Sequence, residues 1–355
     1  MQRHSYIAKN YALIGFAIFI AILFLHRYTS IHHISPSHQA VGAASFKHFQ
    51  MRERPVVIYH PPDSNPGIPS GFTVFHKNGC PIRNCVLTKS ELHKHTADVI
   101  LFGENSEWKP PQKRSKSQVW IIRLMESPEN TKFLRNYMAQ INYTASYHRD
   151  SDIYLPYGLY KPFQKVKKKR FVNYAKGKSG LAVWLVSNCL TNNNRMLFAK
   201  RLSEFMQVDI YGECGKGSVP RKDLHRLIKN YKFYLAFENS NCRQYISEKF
   251  WINALSNNAV PIVMGAPKSD YMAVAPPHSF IHVDDYEPPQ LAQYLLYLDK
   301  NDTAYNEYFA WKSFGRVVSS DFYCQLCSFV QSPPRKIYND IDTWWKNTGK
   351  CQNVP

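Results

Sequence analysis

For most of its length the chain alternates short apolar runs with polar stretches of helical period. In the first half, residues 56–59, 72–75, 99–102 and 119–122 are compact apolar runs and read as buried strands. Helical stretches are expected near residues 89–95 and 131–140. The second half is more regular. Residues 181–187 (LAVWLVS), 208–211, 231–238 (YKFYLAFE), 259–264 and 280–283 read as strands. Between them, residues 193–205 carry Met196, Ala199, Leu202 and Phe205 at helical spacing, and 221–230, 246–255, 291–298 and 304–314 are also helical. Such alternation predicts an α/β fold: parallel sheets with crossover helices, whose ligands sit at the carboxyl ends of the strands. The chain contains neither Gly-x-Gly-x-x-Gly nor a Walker loop, so dinucleotide oxidoreductases and P-loop kinases lose their main support.

Upstream of these elements, residues 11–25 (YALIGFAIFIAILFL) hold no charge and no proline. A full span wants roughly 20 such residues. Tyr6, Ile7 and Ala8 extend the run if Lys9 snorkels to the interface. His26, Arg27 and Tyr28 follow directly in place of the small residues of a cleavage site. The run therefore reads as an uncleaved transmembrane signal-anchor, with residues 1–10 as a cytosolic tail and 26–52 as a polar stem. Residues 53–170 and 171–330 are the two expected domains, and 331–355 a C-terminal tail.

A length of 355 residues suits about two domains, and a composition 44% apolar excludes a mainly disordered chain. Lys plus Arg exceed Asp plus Glu by 45 − 26, a formal charge of +19. That suits a polyanion: nucleic acid, an anionic membrane face or a phosphorylated small molecule. The densest basic stretch is Lys161, Lys165, Lys167, Lys168, Lys169, Arg170, Lys176 and Lys178. It has few interleaved aromatics, which speaks for a linker or rim and against nucleic-acid binding. All eight cysteines follow the anchor, and an even number in a lumenal domain suggests disulfides. Cys189 and Cys214 flank one β–α–β unit and are a candidate pair. Cys80-x4-Cys85 with Cys324-x2-Cys327 reads either as disulfides or as a four-thiolate zinc site. Sequons at Asn142 and Asn301 agree with a lumenal location.

The densest polar information is YLAFENSNCRQYISEK, residues 234–249. Glu238 and Asn239 follow a strand at its carboxyl end. Ser247 suits an N-cap, which places Glu248 and Lys249 in the first helical turn. Free N–H groups plus the Lys249 ammonium suit a diphosphate, with Tyr245 and Glu248 beside it for sugar or ribose hydroxyls. Arg195 starts the helix of a second strand-to-helix junction and is expected to fork onto the same phosphates. Glu126 follows the run 119–122, with Pro128 fixing the turn. A sugar hydroxyl becomes a nucleophile when such a positioned base takes its proton. Asp150-Ser-Asp152 has the spacing of a metal motif, but its surroundings read as structural.

Residues 233–267 (FYLAFENSNCRQYISEKFWINALSNNAVPIVMGAP) resemble the signature of the α1,3-fucosyltransferase family. So do YHRDSDIYLPYG at 147–158, WLVSNC at 184–189, VDIYGECG at 208–215 and the late Cys324-Gln-Leu-Cys327. The style of the motifs is that of plant and invertebrate members. Gln244 stands where family members usually carry an acid, and Ser247 where they carry Thr. The resemblance implies a GT-B fold, two Rossmann-like domains facing a cleft, in a type II single-pass Golgi membrane protein. It implies GDP-fucose as donor, bound by Arg195, Asn239, Tyr245, Glu248 and Lys249. A GlcNAc-containing glycan on glycoprotein is the implied acceptor, with the N-glycan core favoured over a Gal-GlcNAc antenna. It implies inversion with Glu126 as general base and no obligatory cofactor or metal, Mn2+ or Mg2+ being at most stimulatory. By analogy with glycoside hydrolysis, Glu248 is the candidate to steady the developing cation. The competing reading is an inactive glycan-binding protein of the same fold, for which Gln244 is the one support. Joining Cys80 and Cys85 to Cys324 and Cys327 would tie the late chain back to the first domain. Cys242 and Cys351 are then left, bonded to each other or free.

Overall fold

A computed structural model describes residues 52–61, 67–104, 114–132, 134–165 and 172–352. The anchor at 11–25, most of the stem and Lys167–Arg170 of the basic run lie outside the described residues. Among the described residues no helix is long and apolar enough to cross a membrane.

The first lobe holds β1 (Val56–Tyr59), the short helix α1 (Thr73–Lys77), β2 (Cys85–Thr88), β3 (Val99–Gly103), β4 (Val119–Leu124), β5 (Tyr143–Ser146) and β6 (Ile153–Tyr154). Its six strands are parallel, in the order β2-β1-β3-β4-β5-β6. After β7 (Leu159–Pro162) comes the second lobe. It runs β8 (Gly180–Leu185), α2 (Arg195–Ser203), β9 (Val208–Tyr211), α3 (Arg221–Lys229), β10 (Tyr231–Phe237), β11 (Val260–Met264), α4 (Lys268–Val274), β12 (Ile281–His282), α5 (Pro288–Lys300) and α6 (Asp302–Glu307). Its sheet is parallel too, ordered β12-β11-β10-β8-β9. Counted within its lobe, the second sheet follows the order 2-1-3-4-5, and the first follows the same order with a sixth strand added at its end. Each therefore reverses direction once, and the second sheet does so between β8 and β10. That switch point is where doubly wound sheets open a crevice.

Parallel strands covered on both faces read as continuous apolar runs. β10 is buried at every position. Phe233, Leu235 and Phe237 pack with Trp184, Leu202 and Leu295 on one face. Tyr234 and Ala236 pack with Phe250, Trp251 and Tyr271 on the other. This is the two-residue alternation of a strand inside a three-layer stack.

The chain from β13 (Gly315–Val318) onward returns to the first lobe. β13 pairs antiparallel with β7. α7 (Phe322–Phe329) adds Phe322, Tyr323 and Leu326 to the core that contains Ile58, Leu101 and Ile121. α8 (Ile341–Gly349) adds Ile341 and Trp345 to the core that contains Ile100, Trp120 and Leu124. Disulfides Cys80–Cys324 and Cys85–Cys327 fix this return, so these four thiols make no zinc site. Cys189–Cys214 and Cys242–Cys351 complete the set.

Several expected elements differ. The run 72–75 is the start of α1, not a strand: Val74 and Phe75 are buried on one helical face while Phe72 is 44% exposed. A four-residue apolar run carries too few periods to tell the two apart. The stretches near 89–95 and 131–140 form single 3-10 turns, Glu91–His93 and Leu134–Tyr137, among the described residues. The expected helix over 246–255 is a π-helix, Lys249–Ala254, running into a 3-10 turn, Leu255–Asn257.

Candidate functional site

Glu126 lies two residues beyond β4, where the turn Met125–Pro128 leaves the carboxyl end of the first sheet. Its Oε1 accepts three hydrogen bonds: from the Ser127 N–H (2.7 Å), the Tyr245 hydroxyl (2.8 Å) and Asn239 Nδ2 (3.2 Å). Asn239 and Tyr245 come from the second lobe, so the carboxylate sits where the two lobes meet. Its Oε2 accepts from none of the described residues. One oxygen is held and the other is left to act, as a positioned base requires. Burial, with the negative charges of Glu238 and Glu126 nearby, holds the Tyr245 phenol far above its usual value. It therefore stays protonated and donates to Glu126.

The turn carrying Glu126 is itself held. The Glu104 carboxylate, at the end of β3, accepts from the N–H groups of Met125 and Glu126, the latter at 2.8 Å. Burial raises the Glu104 carboxyl, and Glu126 adds to the rise, while those two N–H groups and Arg123 oppose it. The Tyr157 hydroxyl donates to the Met125 carbonyl. Ser127 and Ser240 share a buried hydroxyl contact across the lobes at 2.9 Å, and Asn130 Nδ2 donates to Ser240 Oγ at 2.8 Å. Sequence pattern alone did not single out Glu104. It lies beyond the apolar run, and its partners are backbone groups 21 and 22 residues away.

The expected cationic pair is arranged differently from expectation. Lys249 Nζ lies 3.0 Å from Glu238 Oε2, 3.0 Å from Ser247 Oγ and 3.4 Å from Glu248 Oε1. Glu238 is fully buried and also accepts from the N–H and hydroxyl of Ser247, each at 2.8 Å. Burial alone would lower the Lys249 ammonium, but the Glu238 and Glu248 carboxylates outweigh it and hold it above its usual value. Ser247 thus serves the Glu238 carboxylate more than a helix cap. Glu248 keeps a half-exposed carboxylate.

Arg195 is 3% exposed. Its terminal nitrogens donate to the Phe237 carbonyl (3.0 Å) and the Asn188 carbonyl (2.7 Å), and Nε has no partner among the described residues. The guanidinium ties the ends of β8 and β10 together across the switch point, where the sequence had suggested a direct phosphate fork. Gln244 adopts a left-handed backbone (φ 60°); its N–H donates to Asp270 Oδ2 at 2.8 Å and its Oε1 accepts from the Arg149 N–H at 3.0 Å. Its amide stabilises the turn that aims Tyr245.

Beside this cluster, a cavity of about 810 Å3 opens between α2 and the carboxyl ends of β11 and β12. Its walls include Asn193 just before α2, Arg201 from the last turn of α2, Asn241, Gly265, His282, Tyr286 and Gln352. Asn193 Nδ2 donates to the Glu238 carbonyl (2.9 Å) and to Asn241 Oδ1 (3.1 Å), joining the cavity wall to the strand end. None of these lining residues was singled out from sequence, although the place, a strand-end crevice, was expected.

Asp152 is a structural residue. It accepts from the Thr144 N–H and hydroxyl, the Tyr338 hydroxyl and Lys336 Nζ. The one described cluster with metal-ligand geometry is Glu129, Cys242 and Cys351, whose thiols are joined to each other. Asn142 is committed to the fold: its amide donates to the Lys336 carbonyl and accepts from the Trp120 N–H. Asn301 caps α6 on an exposed face, accepting from the Ala304 N–H at 3.1 Å.

Residues 52–158 match the family model "Fucosyltransferase, N-terminal", and residues 175–344 match "Glycosyltransferase family 10 (fucosyltransferase) C-term". Over 296 residues the chain is 38% identical to glycoprotein 3-alpha-L-fucosyltransferase A of Drosophila melanogaster, a match covering 80% of this chain and 59% of that protein. It is 36% identical to alpha-(1,3)-fucosyltransferase 7 of Bos taurus over 276 residues, covering 75% of this chain and 79% of the relative. Its fold resembles a solved α1,3-fucosyltransferase with GDP-fucose, at TM-score 0.54 and 15% identity over 82% of this chain and 94% of the other. With both lobes matched in order and more than half the chain covered, the chain belongs to the glycosyltransferase family 10 fucosyltransferases.

Proposed function

We propose that the chain is an inverting α1,3-fucosyltransferase that moves L-fucose from GDP-fucose to the 3-hydroxyl of a GlcNAc residue in glycoprotein glycans. The observation that carries this reading is the Glu126 carboxylate, with one oxygen fastened by donors from both lobes and the other unengaged. The 810 Å3 cavity beside it is the donor site, with the first turn of α2 and Arg201 toward the diphosphate. Glu126 Oε2 takes the proton of the acceptor hydroxyl as that oxygen attacks the anomeric carbon. The bond from that carbon to the phosphate oxygen breaks, GDP leaves with the electron pair, and the configuration inverts in one displacement. Glu248 is the proposed partner of the oxocarbenium-like charge. Arg195 and Lys249 act through the frame they hold, fixing the Phe237–Asn239 strand end against the cavity. No step requires a metal.

The name of the Drosophila relative, a glycoprotein 3-alpha-L-fucosyltransferase, supports a glycoprotein acceptor, and the style of the motifs favours the N-glycan core within that class. The uncharged run 11–25 and four disulfides support a type II membrane protein with this domain in the Golgi lumen. The inactive glycan-binding reading is not favoured, because Gln244 serves the fold: its N–H donates to Asp270 and its Oε1 accepts from the Arg149 N–H. The test is transfer from GDP-fucose to a core-only and to an antennary acceptor, read by mass spectrometry. The reading expects a mass gain of one fucose on the core-only glycan. GDP binding without transfer to either acceptor would contradict it.

A further inference from the structure

We propose that Gln352 is a donor-contact residue and that the Cys242–Cys351 disulfide is the clip that holds it at the nucleotide. The inference rests on the reading of the 810 Å3 cavity as the donor site.

The tail reaches that cavity by a defined route. α8 ends at Gly349, and Lys350 turns the chain in a left-handed conformation (φ 38°). The next residues run beside the 241–243 loop of the second lobe. The Arg243 N–H donates to the Gly349 carbonyl at 2.6 Å, and the Gln352 N–H donates to the Asn241 carbonyl at 2.8 Å. Between these two bonds lies the Cys242–Cys351 disulfide, with Cα atoms 3.9 Å apart and Cys242 fully buried. Two backbone bonds and a covalent link leave Gln352 little freedom. It is set beside Asn241, and both line the cavity. Asn241 is in turn hydrogen-bonded to Asn193, a third lining residue. The amide of Asn193 is spent on the Glu238 carbonyl, Asn241 and Thr191, and it backs the two neutral amides of Asn241 and Gln352 on this wall. The Asn241 Nδ2 and the Gln352 amide bring hydrogen-bonding groups without adding charge, which suits the polar oxygens of a nucleoside diphosphate.

The other side of the same tail meets the turn that carries the proposed base. A Cβ built on Gly349 would lie 2.3 Å from Pro128 Cγ, so helix α8 closes directly on the Glu126–Pro128 turn. Trp345 Nε1 donates to Thr131 Oγ1 at 3.1 Å, and Thr131 Oγ1 donates to the Ser127 carbonyl at 2.7 Å. One segment therefore abuts the turn of the proposed base and, three residues later, a wall of the donor cavity.

The experiment titrates GDP into the full chain by calorimetry and measures transfer kinetics for wild type, Gln352→Ala, the Cys242→Ser/Cys351→Ser double variant and Arg201→Ala. Arg201 lines the same cavity from α2 and is no part of the tail, so it reports on the donor-site reading alone. Losing one hydrogen-bonding amide is expected to raise the GDP Kd and the donor KM of Gln352→Ala by about 5- to 10-fold, with kcat changed far less and Tm unchanged. The double serine variant is expected to show the same loss of affinity, together with a lower Tm. Wild-type GDP affinity in Gln352→Ala alongside weakened binding in Arg201→Ala overturns the inference and leaves the donor site standing. A fall in Tm and kcat matching the loss of affinity in Gln352→Ala also overturns it, since that is the mark of a purely structural residue. Unchanged GDP affinity in both Gln352→Ala and Arg201→Ala overturns the donor-site reading and the inference with it.

Discussion

At the scale of single residues, the fully buried Glu238 carboxylate and the Lys249 ammonium 3.0 Å from it form a pair that neither member can leave alone. Lys249→Met strands a charge in a dry site and is expected to lower unfolding stability by about 3–5 kcal/mol, measured by urea titration. Glu238→Gln combined with Lys249→Met should recover much of that loss, because no unpaired charge remains. The sequence displayed both residue types at a strand end and a helix start. It did not display their pairing, which depends on how 249 folds back over 238. Glu104 was less legible still, since it works through backbone N–H groups. Glu104→Ala should lower kcat by up to about 100-fold, as expected when a reacting group is displaced by an ångström, while Glu104→Gln keeps an acceptor oxygen and most of the rate. Equal losses in both variants would contradict the positioning role.

At the scale of elements, legibility followed period and length. α2 and α5 overlap stretches with clear helical spacing, and the strands of the second sheet are mostly apolar runs, with Lys232 in β10 and Asp209 in β9 as exceptions. β5 (YTAS) and β2 (CVLT) are short and half polar, and they strand-pair only because neighbouring strands impose it. The π-helix Lys249–Ala254 was expected as an ordinary helix, because sequence spacing does not distinguish the two over six residues. Its widened turn sets Phe250, Trp251 and Ala254 all inward. Helix α8 fell in a segment the sequence offered only as a tail, yet it abuts the Glu126 turn. Gly349→Ala places a methyl 2.3 Å from Pro128, and such overpacking is expected to destabilise by about 1–3 kcal/mol and to lower kcat. Thermal unfolding together with a rate assay checks both.

At the scale of the whole molecule, two parallel sheets meet through loops at their strand ends, by contacts such as Ser127 to Ser240 and Asn239 to Glu126, and the late chain staples them. Eight cysteines were legible as disulfides, and joining Cys80 and Cys85 to Cys324 and Cys327 already tied the late chain to the first lobe; that α7 enters its core with Phe322, Tyr323 and Leu326 had to be seen in three dimensions. Stability should also respond to acid. Burial lowers the His148 and His278 imidazoles below their usual value, against opposing pulls from Asp150 and Asp270 on His148 and from Glu307 on His278. The unfolded chain therefore takes up protons first as pH falls. Stability on this account is full above the unfolded histidine pKa, about 6.5, and declines as pH drops from there toward the folded values. Tm scans from neutral to mildly acidic pH should slope downward, and His148→Gln with His278→Gln should flatten that slope.

The most direct measurement compares wild type and Glu126→Gln for fucose transfer at saturating GDP-fucose and acceptor, with GDP affinity measured on the same samples. A positioned base contributes about 100- to 10,000-fold, so the variant should lose at least 100-fold in kcat while binding GDP as wild type does. A variant that transfers fucose at the wild-type rate would show that Glu126 Oε2 is not the atom that takes the proton.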